Sequence, residues 1–218
     1  MNAGKITSLI LKIIIVLSAS CGTFLSVTSA PATILYFTIQ SNIWICVTCL
    51  VGLVLMIRKA DIKRWMYTVK LIFTVSITLT GVVYCVMLAP FKGDAAYSPV
   101  SILTHVIVPA ASVLDFAVYD YPAVYKKREC LLVTIPPFYY LAFAGVGYAL
   151  DWDFNNGENY PYFFLNWGSP AGAFGFAEEF PYIGVVYYVM IMVAFVIAVG
   201  ALYMLLAHLI KKITMRRS

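Results

Sequence analysis

The sequence predicts an all-α membrane protein, a six-transmembrane-helix bundle with both termini cytoplasmic. Three observations lead there. Of 218 residues, 62% are hydrophobic and 11% are charged, where soluble domains carry roughly 25% charged residues. Apolar runs of roughly 20 residues, each able to cross about 30 Å of hydrocarbon, recur along the chain. Basic residues gather at alternate connections: Lys5; Arg58, Lys59, Lys63 and Arg64; Lys126, Lys127 and Arg128; Lys211, Lys212, Arg216 and Arg217. The positive-inside rule puts those ends in the cytoplasm, as expected of a multi-pass protein of the cell (inner) membrane.

The spans are expected near 6–28, 33–57, 66–90, 100–118, 130–150 and 183–210. The first resembles a secretory signal, with Thr28-Ser29-Ala30 as a cleavage-like site. Its apolar part is too long for one, and Lys12 interrupts it. Pro31 and Thr33 suit the start of the second span. The third climbs back from a basic turn and carries Lys70 near its inner end; the fourth descends with Ser101, His105, Pro109, Ser112 and Asp115 and stops at Asp120-Tyr121-Pro122. Pro136-Pro137 should kink the fifth. Residues 1–218 then form one membrane domain, with an outer aromatic-rich loop at about 151–182. That loop holds eleven aromatics, four glycines and five acids, too aromatic for a disordered segment. It reads as a folded cap, either an interfacial belt with Trp152, Tyr160, Tyr162 and Trp167 at headgroup level or a lid.

The net charge of +5 sits at span ends, so it points to the membrane as partner and not to nucleic acid. Cys46 and Cys49 have CxxC spacing but lie mid-helix, without the strand and turn of a redox motif. No His, Cys and acid cluster has metal spacing, and His105 and His208 fall at opposite faces, which excludes a bis-histidine haem; no cofactor or metal is expected.

Polar residues inside hydrocarbon need partners or a task. Tyr36-Phe37-Thr38-Ile39-Gln40-Ser41-Asn42 is such a run. Helical spacing puts Thr38, Ser41 and Asn42 on one face, roughly 40° to 60° apart. Hydrogen bonds between packed helices account for such a run in many bundles. His105, about five residues below the outer start of its span, falls at the same depth as Thr38, and a hydroxyl beside an imidazole can act as nucleophile and base. Pro109 cannot donate to the carbonyl of His105, which loosens the helix there. Lys12, Lys70 and Asp115 fall near the opposite boundary, and Lys70 with Asp115 is expected as a structural ion pair.

The 36–42 run, His105-Val106-Ile107-Val108-Pro109, Asp115-Phe116 and Tyr160-Pro161-Tyr162-Phe163-Phe164-Leu165 together resemble the family of the androgen-induced gene 1 protein and its paralogue ADTRP, as a bacterial-type relative. That family consists of six-span intramembrane threonine hydrolases that cleave fatty acid esters of hydroxy fatty acids. The resemblance implies an ester hydrolase in which Thr38 is the nucleophile and His105 the base, acting on a lipid substrate within the bilayer. Asn42 or a backbone amide would supply the oxyanion donor, and Ser41 would support the site. Two other readings stay open from the residues: a non-enzymatic lipid-binding or scaffold protein, and a small-molecule transporter.

Overall fold

The computed structural model describes residues 3–118, 125–154 and 157–217, without the side chains of 214–217. It is all-helical, 77% helix with no strand among the described residues. Six helices are long and apolar enough to cross a membrane: α1 (Ala3–Ser29), α2 (Phe37–Ile57), α3 (Arg64–Phe91), α4 (Pro99–Val118), α5 (Glu129–Ala149) and α6 (Val185–Ile213). The Asp120-Tyr121-Pro122 stop lies outside the described residues.

Four local departures from regular helix matter. Pro31–Leu35 forms a 3₁₀ turn, so α2 begins at Phe37 instead of near residue 33. Thr38 therefore sits in the first turn of its helix, not five residues below its start. First-turn N–H groups have no partner further back in the helix. Inside α4, Leu103–Ile107 forms a π-turn closed by the Val108 N–H on the Leu103 carbonyl. Pro109 follows at once; its ring and missing N–H forbid the regular bond to His105. A matching π-turn over Tyr84–Leu88 precedes Pro90 in α3. The fifth helix breaks between Glu129–Leu132 and Ile135–Ala149, with Pro136 at the restart.

α3 is the central helix: half of its apolar window is buried, against 22% for α1 and 17% for α6. One side of it joins a core with Leu71, Val75, Phe116, Val133, Tyr140 and Val196. The other faces a smaller core of Ile15, Ala19, Ile45, Ile77, Val108 and Ala111. The outward faces of α1 and α6 expose Leu17, Phe24, Met190 and Ile191, as lipid contact requires.

Lys12 and Lys70 both reach Asp115. Lys12 Nζ lies 2.7 Å from Oδ1 and Lys70 Nζ 2.7 Å from Oδ2. Ser8 donates to the same carboxylate at 2.6 Å. The ion pair expected from Lys70 and Asp115 is thus a triad that ties α1, α3 and α4. Gly52 makes room for it, because a Cβ there would meet Lys12 Cε at 3.0 Å.

The 151–182 segment folds back over the end of the bundle where α2 begins. Phe154 is fully buried, and Gly147 of α5 admits it: a Cβ at that glycine would lie 2.6 Å from the Phe154 ring. The Tyr36 hydroxyl donates to the Phe154 carbonyl at 2.7 Å. Phe164 and Leu165 join the main core, while Phe174 and Phe176 stay exposed.

Candidate functional site

Thr38 Oγ1 lies 3.3 Å from His105 Nε2. The other ring nitrogen fixes the proton. His105 Nδ1 is 3.1 Å from the Ser101 carbonyl, which can only accept, so Nδ1 carries the hydrogen and Nε2 presents a lone pair to the Thr38 hydroxyl. Thr104 Oγ1 stands 3.0 Å from Nδ1 and donates its own proton to the Val100 carbonyl at 2.8 Å, so it accepts a share of the same N–H. Tyr84 stacks on the imidazole, centroids 3.7 Å apart and planes at 18°. Its hydroxyl is anchored on the Ala96 carbonyl at 2.9 Å. The two π-turns therefore meet face to face, and the ring that must accept a proton is held in one tautomer and one plane.

Close helix approach sets the spacing. A Cβ on Gly22 of α1 would strike Thr104 Cγ2 at 2.5 Å, and one on Gly81 of α3 would meet Pro109 at 3.0 Å and the His105 carbonyl at 3.2 Å. Glycine at both places lets the π-turn of α4 sink between α1 and α3.

Asn42 and Ser41 are committed elsewhere. Asn42 Nδ2 donates to the carbonyls of Thr38, at 2.8 Å, and of Thr104, at 3.1 Å. Both amide protons are spent and the side chain has no exposed surface. The oxyanion role expected of Asn42 does not suit this geometry; what the amide does is tie the turn of Thr38 to the turn of His105. Ser41 is also fully buried, with Oγ 3.0 Å from the Thr38 carbonyl and 2.7 Å from Thr80 Oγ1. It braces α2 against α3.

Tyr162, one of the four aromatics named for the cap, reaches into the site. The Thr38 N–H, free of a helical partner, donates to its hydroxyl at 3.4 Å, and the Thr38 side chain also lies within its hydrogen-bonding reach. Burial pushes the Tyr162 hydroxyl up to about 12, so it keeps its proton and remains a donor. Its ring is held by Phe164, stacked at 4.9 Å, and by the edge of Tyr36 at 5.4 Å. Sequence spacing gave no signal for this: Tyr162 is one of many aromatics in its loop, and only the fold of the loop brings it to Thr38.

Two cavities meet at Thr38. One, of ≈ 430 Å³, is bounded by polar groups that include Ser101, His105 and Lys92. Burial lowers the Lys92 ammonium below the usual lysine range. The other, of ≈ 70 Å³, is a narrow apolar slot among Leu79 and Val83 of α3, Phe138 and Leu141 of α5, and Val189 and Met192 of α6. Thr38 and Tyr162 line both.

No family model, curated protein or solved structure matches the chain. The site is thus described by its own chemistry. Among the described residues no group of three or more His, Cys, Asp or Glu could hold a metal. The exposed His208 and the Lys12–Asp115–Lys70 triad lie apart from Thr38, Asp115 being ten residues and about 15 Å along α4 from His105.

Proposed function

We propose that the protein is an intramembrane hydrolase that cleaves a fatty acyl ester through a threonyl acyl-enzyme, with Thr38 as nucleophile and His105 as base. The observation that carries the reading is the 3.3 Å approach of Thr38 Oγ1 to the lone-pair nitrogen of an imidazole whose other nitrogen is fixed on a main-chain carbonyl. A distance slightly beyond 3.2 Å is common for nucleophile and base before substrate binds. A hydroxyl needs such a partner because it is a weak nucleophile at its own pKa.

In the first step, Thr38 Oγ1 attacks the ester carbonyl carbon while its proton passes to His105 Nε2. The negative charge that forms on the carbonyl oxygen is met by the Tyr162 O–H, whose oxygen accepts from the Thr38 N–H at the start of α2. Collapse breaks the bond to the alcohol oxygen, which leaves with the proton from Nε2. A water then enters, gives a proton to Nε2 and its hydroxide to the acyl carbon, and the carboxylic acid departs as Thr38 recovers its proton. The polar cavity suits the alcohol portion and the water, and the apolar slot marks where the start of the acyl chain would enter between α3, α5 and α6, which must part to take a full chain.

The reading agrees with what the resemblance to the androgen-induced gene 1 and ADTRP family implies, in which the threonine and histidine would fall on Thr38 and His105 and the substrates would be esters of hydroxy fatty acids. The Lys and Arg residues at the end opposite the cap support cytoplasmic termini in the cell membrane, with the site under the outer face. The test is turnover in lipid nanodiscs of long-chain acyl esters, hydroxy-fatty-acid esters included. Wild-type protein should release fatty acid, and Thr38→Ala and His105→Ala should each lose at least ~100-fold. Equal turnover by Thr38→Ala would remove the nucleophile assignment, and substrate accumulation across proteoliposomes without cleavage would replace the hydrolase by a carrier.

A further inference from the structure

At the end of the bundle away from Thr38, a third cavity, of ≈ 340 Å³, opens between α1, α2 and α3. Its size falls in the small-ligand range of about 300–1,000 Å³. The walls are apolar and aromatic, with Trp44, Val51, Trp65 and Phe73 among them; Trp44 and Phe73 stack at 5.6 Å. Two cations, Lys12 and Lys70, line it as well. Both belong to the triad on Asp115, and the Lys12 ammonium is committed to Ser8 Oγ and both Asp115 oxygens. Lys70 is 6% exposed. Its ammonium reaches Asp115 and, at 3.4 Å, Cys49 Sγ, which leaves one of its three donors over. An ammonium donor left without an acceptor in an apolar wall is costly unless a ligand acceptor, an anion best of all, can reach it.

We propose that this cavity binds a free long-chain fatty acid, its carboxylate on the Lys70 ammonium group and its chain along Trp44, Trp65 and Phe73. One carboxylate oxygen takes the donor that Lys70 has over. The volume lies at the small end of the ligand range and takes one chain, not the two of a phospholipid. Lys70 lies six residues, about 9 Å, inside the start of α3, a depth that a compact carboxylate can reach while a bulky headgroup stays at the interface. The site shares no residue with the Thr38 centre, so it stands or falls apart from the hydrolase reading.

The experiment uses the full chain in nanodiscs with a palmitic acid bearing a chain-terminal diazirine. After photolysis, peptide mapping should place adducts within residues 44–55 and 62–73, and unlabelled palmitate should compete them away. The methyl ester of the same probe should label these peptides at roughly a tenth of that level or less, the loss expected when one charge-assisted contact is removed. Lys70→Met should reduce labelling by the acid to the ester's level. The wild-type ratio of acid to ester decides the matter even if that variant folds poorly. Equal labelling by acid and ester would overturn the proposal, as would adducts spread evenly over the lipid-facing sides of α1 and α6. Stronger competition by a monoacyl phosphate than by palmitate would overturn the carboxylate assignment.

Discussion

Tyr162 is the residue through which the proposed chemistry is best probed without touching the nucleophile. Its hydroxyl oxygen accepts from the Thr38 amide and leaves its own proton for the proposed oxyanion, and loss of one oxyanion donor costs about 10²–10³ in rate. Tyr162→Phe should therefore lower kcat by about that factor with little change in KM, since the ring and its stacking on Phe164 remain. Equal losses in both parameters would instead mark Tyr162 as a packing residue. The pH dependence has a definite sign. Burial raises this hydroxyl to about 12, so the donor is present at every lower pH and disappears only as pH rises through that value. An activity profile measured to pH 10 should show no alkaline loss that Tyr162→Phe removes. At this scale the sequence was legible for Thr38 and His105 as a hydroxyl and an imidazole toward the same end of two helices, though not for the depth of Thr38, which the 3₁₀ turn moves to the first turn of α2. It was not legible for Asn42, whose two amide protons go to main-chain carbonyls that no spacing rule reveals.

Helix irregularities, more than regular helix, build the centre. The Pro109 effect on the His105 carbonyl could be read from two residues four apart, and it takes the form of a π-turn that projects the imidazole toward Thr38. The 3₁₀ turn that delays α2 could not be read so, since Pro31 starts either kind of helix. Packing between elements offers a sharp test. Gly22→Ala would press a methyl onto Thr104 Cγ2, at 2.5 Å in the present backbone, and overpacking of this kind costs about 1–3 kcal/mol. Thr104 holds His105 Nδ1, so the push should misplace the base. Thermal stability and turnover should both fall in Gly22→Ala and recover in Gly22→Ala/Thr104→Ser, which deletes the struck methyl and keeps the hydroxyl. If the double variant stays as slow as the single one, contact with Thr104 is not what Gly22 provides.

The whole molecule separates its polar work into two ends. Near the cap, hydrogen-bonding groups surround Thr38, with Lys92 at the edge of its cavity; toward the termini, Lys12, Asp115 and Lys70 join three helices by charge. Sequence depth already sorted these two sets, because both follow from counting residues along spans. The cap did not yield to counting: its fold depends on Phe154 entering beside Gly147, a contact that no helical spacing rule reveals, and on Tyr36 holding its main chain from far away in sequence. Removing one partner of a buried ion cluster costs about 3–5 kcal/mol. Asp115→Ala should therefore lower the melting temperature in detergent far more than Thr38→Ala does; similar melting of the two variants would deny the triad its structural role. The most direct measurement for the central claim is mass-spectrometric location of the adduct formed by a long-chain fluorophosphonate on the purified protein. The account requires the adduct on Thr38 and its disappearance in His105→Ala. An adduct on Ser41, or labelling unchanged by His105→Ala, would contradict it.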